Sequence, residues 1–153
     1  MDVSLGKLEE IQRKMSEQVD VSKKLDISKI KTVAGFDVAF FQDKAVCSAV
    51  VFDIQSNKII EKKHIVAKTP MQYIPGFLAF IEGPLITQAY YDLENDPDVL
   101  ILDGHGIAHQ RKCGLATYVG IELNKPSIGV AKNLFVGETK DSKILVDNEV
   151  RGV

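Results

Sequence analysis

Leu5, Leu8, Ile11 and Met15 recur at helical spacing among charged residues, so residues 3 to 19 (VSLGKLEEIQRKMSEQV) predict an amphipathic helix with a structural role. From Lys31 the pattern changes to β-branched and aromatic runs. TVAGFDVAFF, AVCSAVVFDI and KIIEKKHIVAK read as successive strands, with a hairpin turn at Ser56, Asn57 and Lys58. After TPMQYIPGF the pattern becomes helical, and Pro75 and Pro84 each suit a first helical turn. Two short helices meeting near Glu82 and Gly83 are expected there rather than one long one. Asn95, Asp96 and Pro97 end the second helix. DVLILDG is a continuous apolar run closed by glycine, which predicts a central parallel strand buried on both faces. A helix over Gly114 to Leu123, the break at Asn124, Lys125 and Pro126, and a second buried run, PSIGVAK, complete a β-α-β unit. The tail KILVDNEVRGV predicts one further strand.

An antiparallel three-strand meander followed by parallel β-α-β units describes an α/β fold, a mixed sheet with helices packed on it. RNase H-like folds have this order of elements. Composition changes the picture little: 153 residues, 45% hydrophobic and 26% charged, fit one domain with one core. No apolar run is long enough to span a bilayer, and residues 1 to 31 carry no apolar signal region, so no membrane association and a cytoplasmic location are expected. Cys47 and Cys113 form no CxxC pair and are expected as reduced thiols. A net charge of −2 argues against coating nucleic acid through bulk charge, so a nucleic-acid surface must be a local patch. Lys62 with Lys63, Arg111 with Lys112, and Lys132 with Lys140 are the candidates.

Charge matters most where it interrupts the apolar strands. Asp37 lies between Phe36 and Val38, and Asp103 ends Val99–Leu102; an unpaired carboxylate in either strand would be costly to bury. Each alone is equally well read as a strand-end carboxylate bonded to backbone. If the two strands are neighbours, about 4.8 Å apart, both carboxylates meet at one sheet end, where like charges call for a cation. Glu82, at the end of a short helix above that sheet end, either supplies a third oxygen or is simply a solvated surface glutamate. Carboxylates, water and phosphate suit Mg²⁺, with Mn²⁺ as substitute, and phosphoryl transfer to water. Lys132 ends the PSIGVAK strand and would emerge on the same sheet edge as Asp103 if the strands run parallel, either to neutralise charge on a phosphate or merely to reach water. Gly104 and Gly106 flank His105 directly after the buried strand, where backbone approaches a ligand closely or simply turns. His105, His109 and Cys113 step by four but lack a fourth ligand for zinc; His109 with Gln110, Arg111 and Lys112 reads as a polar, phosphate-facing loop. Tyr73, ahead of Ile74, Pro75 and Gly76, either stacks on bases or anchors a loop.

The segments VAGFDVAFF, YIPGFLAFIE, PDVLILDGHGIAH and PSIGVAKN, in this order over roughly residues 33 to 137, closely resemble the endonuclease V family. The resemblance implies an RNase H-like fold, Mg²⁺ or Mn²⁺ dependence, and recognition of deoxyinosine. It also implies hydrolysis of the second phosphodiester bond on the 3′ side, in DNA repair. By position, Asp37, Glu82 and Asp103 match the metal-binding carboxylates and Lys132 the active-site lysine. Tyr73, with Ile74 and Pro75, matches a strand-separating wedge. Gly76, Leu78, Gly104 and Gly106 match the lining of the pocket for the flipped base, and His109 matches a histidine of the family. Ile81 stands where the family usually has arginine, and Gln72 and Gln110 stand where it has proline.

The resemblance further implies that residues 1–153 form a single domain from which the C-terminal part of the family's domain is absent, with another active-site histidine and a final helix. Apolar sheet surface left exposed would then favour self-association. The expected partner is DNA containing deoxyinosine, with inosine-containing RNA as a second class. The alternative function is a non-catalytic inosine-binding module. A haloacid-dehalogenase-type phosphatase needs a second Asp two residues after Asp37, where this chain has Ala39.

Overall fold

The computed structural model describes residues 4–69 and 71–153. Val3, the first residue of the expected amphipathic segment, lies outside them, as does Pro70. The elements are α1 (Leu5–Ser16), β1 (Thr32–Phe41), β2 (Lys44–Asp53), β3 (Lys58–Lys68), α2 (Leu78–Tyr91), β4 (Val99–Asp103), α3 (Leu115–Glu122), β5 (Ser127–Val130), β6 (Glu138–Lys140), β7 (Lys143–Val146) and β8 (Glu149–Gly152). A short 3₁₀ turn at Ile27–Lys29 precedes β1.

Five strands form one sheet in the order β3-β2-β1-β4-β5. β1, β2 and β3 are an antiparallel meander, while β4 runs parallel to both β1 and β5. This is the mixed α/β arrangement of an RNase H-like fold. Strict alternation along the strands sends Ala34, Phe36, Cys47, Val51, Leu100 and Leu102 to one face. There they pack on Leu85, Ile86 and Ala89 of α2 and on Leu115, Ala116 and Val119 of α3. Asp98 sets the register of β1 against β4: its Oδ2 accepts from the amides of Lys31 (2.8 Å) and Thr32 (3.0 Å) at the start of both strands. Val33 then pairs with Val99, and Phe36 with Leu102.

Five sequence expectations need correction. β4 is central and parallel but is covered by helices on one face only: Leu100 and Leu102 are buried there, whereas Ile101 is half-buried and Asp103 exposed on the other face. α2 is one helix through Gly83 and Pro84. The proline removes one intrahelical donor, but Ile81, Leu85, Ile86 and Ala89 are buried along one continuous face that two separate helices would break. Gly83 also lies under the Tyr118 ring of α3, where a Cβ would come within 2.6 Å of it. The PSIGVAK run is an exposed edge strand rather than a buried one, with Ile128 52% and Val130 57% exposed; an apolar run alone does not say whether a second layer covers it. On α1 the buried stripe is Leu8, Gln12 and Met15, whereas Leu5 and Ile11 lie largely in solvent. Finally, the tail is a hairpin, β7 and β8, joined by Asp147 and Asn148 at φ 52° and 63°. That pair of left-handed residues gives the two-residue turn that matches strand twist. β6 adds to it as a second, three-stranded sheet, anchored to the main body where the buried Arg151 donates from Nη1 to the His109 carbonyl (3.1 Å).

Candidate active site

Because Phe36 pairs with Leu102, the next residues along the two parallel strands, Asp37 and Asp103, stand side by side at the carboxyl end of β4. Alternation turns both away from the helix-packed core. They are exposed, since Phe36, Val38 and Leu102 take the inward positions, so the cost of burying an unpaired carboxylate does not arise. The two carboxylates line an open groove of about 500 Å³ on the uncovered sheet face, with Gly35, Ser48, Ile101 and Lys132.

Glu82 is in the second turn of α2 and is half-buried. Burial, and then the charges of Asp37 and Asp103, push its carboxyl from an ordinary 4.5 up to about 7. The three acids therefore share one electrostatic neighbourhood, with Glu82 reaching it from the helix side. Among the described residues, no three His, Cys, Asp or Glu side chains are gathered into a ready-made cation cage. Mg²⁺ does not require one, because it is ordinarily held by one or two carboxylates together with waters and substrate phosphate. The all-oxygen donor set fits that ion.

A second, more enclosed cleft of about 270 Å³ adjoins the groove and shares Asp103 and Lys132 with it. Its walls come from the loop before α2 (Tyr73, Gly76, Leu78), the turn after β4 (Gly104, His105), and the segment after β5 (Asn133, Phe135). Tyr73 is 67% exposed at the rim. Gly76 has φ +84°, a left-handed conformation that favours glycine. The turn after β4 is held by α3: Gly114 donates to the Gly106 carbonyl and Ala116 to that of His105, both at 3.0 Å. A Cβ on Gly114 would lie 2.3 Å from the His105 oxygen, so this approach demands glycine.

Tyr73, Gly76, Leu78, Gly104, Asp103, His109 and Lys132 are thus brought to one cleft, whereas Ile74, Pro75 and Gly106 do not line it. His109 is not phosphate-facing. It is buried, its Nδ1 accepts from the Arg111 amide (3.2 Å), and its ring stacks on Phe135 at 5.5 Å. Burial, aided by Arg111, pushes its pKa down to about 4, so the imidazole is neutral with its proton on Nε2. The expected basic pairs are also largely engaged. Lys63 binds Glu94 (2.9 Å), Arg111 is buried against Gln12 and Glu9, and Lys112 binds Glu149 (2.6 Å). Lys132 and Lys140 stay exposed. Sequence reasoning missed Gln12, Asn133 and Phe135. Only Gln12 carried a signal, as a polar residue on the apolar stripe of its helix.

The endonuclease V family model matches residues 13–150. The chain belongs to the endonuclease V family. The endonuclease V of Haloarcula marismortui is 47% identical over 110 residues, which cover 72% of this chain and 40% of that protein. The crystal structure of endonuclease V from Bacillus subtilis superposes with a TM-score of 0.86 at 32% identity, over 97% of this chain and 69% of that one. A Ciona intestinalis endonuclease V, solved in complex with a 24mer DNA containing an inosine followed by a ribo-adenosine, gives a TM-score of 0.79 at 30% identity, over 85% of this chain and 58% of that one. The chain spans less than two thirds of the length of the first curated endonucleases V it matches.

Proposed function

We propose that this protein is a metal-dependent endonuclease that recognises deoxyinosine in DNA and hydrolyses the second phosphodiester bond on its 3′ side. The observation that carries this reading is the pairing of Asp37 with Asp103 at one sheet end, within the field of Glu82 and beside Lys132. Three carboxylates and a lysine next to a cleft with an exposed tyrosine at its rim make chemical sense for a phosphodiester, whose charge must be neutralised while the adjacent base is held. The Ciona relative, bound to inosine-containing DNA, supports the choice of base. A DNA containing deoxyinosine is therefore the proposed partner, with inosine-containing RNA as a second class.

Asp37, Asp103 and Glu82 would hold Mg²⁺ or Mn²⁺, which when bound supplies a Lewis acid and lowers the pKa of coordinated water. Lys132 offers its ammonium to the phosphate from the shared wall of groove and cleft. Leu78 and the Gly104 turn receive the flipped base, and Tyr73 at the rim stacks on or separates the neighbouring bases.

The test is nicking of a labelled oligonucleotide carrying one deoxyinosine, beside an unmodified control, in Mg²⁺ and in chelator. A cut one nucleotide beyond the inosine, in metal only, is the expected result. Binding of the inosine strand without a cut would replace the nuclease with a recognition module, and equal treatment of both strands would remove inosine from the proposal.

A further inference from the structure

Gln12 is the most completely buried polar side chain of α1, at 0% exposure, on the stripe shared with Leu8 and Met15. A buried amide is costly unless its hydrogen-bonding groups are used. All of its side-chain bonds leave α1 and end on two segments framing the cleft. Nε2 donates to the carbonyls of Gly76 (3.1 Å) and Cys113 (2.8 Å), and Oε1 accepts from Arg111 Nε (2.6 Å). Arg111 completes the link: its Nη2 donates to the same Gly76 carbonyl (2.9 Å), and its guanidinium lies 4.6 Å over the Phe77 ring.

The peptide between Gly76 and Phe77 is therefore fixed on both sides. Its carbonyl takes two donors, from Gln12 and Arg111, while its N–H donates to the Ile74 carbonyl (3.0 Å). That peptide ends the loop carrying Tyr73. The Cys113 carbonyl, held by the same amide, precedes Gly114, whose N–H grips the turn after β4. One side chain thus bonds to both walls of the cleft.

We propose that Gln12, acting with Arg111, is a positioning residue for base selection: it fixes the Tyr73–Gly76 loop relative to the Gly104–Gly106 turn, and it bonds to none of the three carboxylates. The inference rests on the proposed function for what enters the cleft, and on hydrogen-bond geometry alone for the clamp.

Gln12→Glu is the direct test, because it keeps the shape but sets a carboxylate oxygen against two carbonyl oxygens. With Mg²⁺, its KM for the inosine strand should rise on the order of 10- to 100-fold, while kcat falls less than about threefold. Discrimination against the control strand should shrink with the rise in KM. A merely structural role predicts a smaller active fraction, which lowers turnover on both strands equally and leaves the ratio intact; that result overturns the proposal. Arg111→Met keeps both amide donations of Gln12 and removes the second donor to Gly76. It should lower discrimination in the same direction, and unchanged discrimination there overturns the proposal even if Gln12→Glu fails to fold. Amide exchange separates the clamp from the function. If the wild-type chain ignores inosine, the proposed function fails, and the clamp is judged by the Phe77 and Gly114 amides. Faster exchange at these two in either variant, with Leu100 and Leu102 unchanged, supports it, and uniform acceleration or none overturns it.

Discussion

The two faces of the five-stranded sheet are built from the same strands and do different work. On the helix side, Ala34, Cys47, Val51, Leu100 and Leu102 are wholly buried against α2 and α3. On the other side, one residue along each strand, Gly35, Asp37, Ser48, Ile101 and Asp103 line an open groove. Burial excludes unpaired charge from the first face, while solvent lets two carboxylates stand side by side on the second. The core and the proposed catalytic carboxylates are thus separated by the period of two of a β-strand, and Glu82 approaches that pair from the helix side.

The largest expected effect comes from the open face. Asp103→Asn should reduce Mg²⁺-dependent nicking on the order of 10³-fold with little change in thermal midpoint, because Asp103 is exposed; a large fall in the midpoint instead would break the division. Next, Leu100→Ala should lower unfolding free energy by about 2–5 kcal/mol, read from urea midpoints. A smaller effect on stability is expected at Glu82. Glu82 binds its proton more tightly in the folded state, about 7 against 4.5, so the unfolded chain holds fewer protons between those values. The metal-free protein should therefore lose stability as pH rises from about 4.5 through about 7, and Glu82→Gln should flatten that slope while removing nicking.

His109 sharpens the contrast in the opposite sense. Its folded pKa of about 4 lies below the ordinary 6.5, so its contribution is present above 6.5 and is lost as pH falls towards 4. The urea midpoint of His109→Gln should be correspondingly less sensitive over that window. The smallest change is expected for Ile128→Ala on the exposed edge strand, within about 0.5 kcal/mol. Light scattering on the same variant tests whether Ile128 contributes to self-association, and a monomer in both forms would show that the open apolar surface does not drive it.

Much of this was legible along the chain because it is local. β-branched and aromatic runs with a turn between them gave the meander, the apolar run gave β4, and a glycine after Asp103 gave the turn beside the cleft. Two carboxylates in otherwise apolar strands were visible as chemistry for the same reason. The continuity of α2 through Pro84 was not visible, since it depends on what its far face packs against, and neither was the exposure of β5, which depends on a layer the run itself does not encode. His109 shows the limit most clearly: its polar neighbours suggested a phosphate-facing loop, yet burial by Phe135 and the Arg111 amide make it a neutral part of the wall.

The sequence by itself determined the order of strands and helices, the family and the candidate carboxylates, because local pattern and residue type are properties of neighbours along the chain. Only the tertiary structure decided that Asp37 stands beside Asp103, that Glu82 feels both charges, and that Gln12 ties together residues 64 and 101 positions away. Those are matters of parallel register, local dielectric and hydrogen-bond geometry, which exist only once distant segments share space.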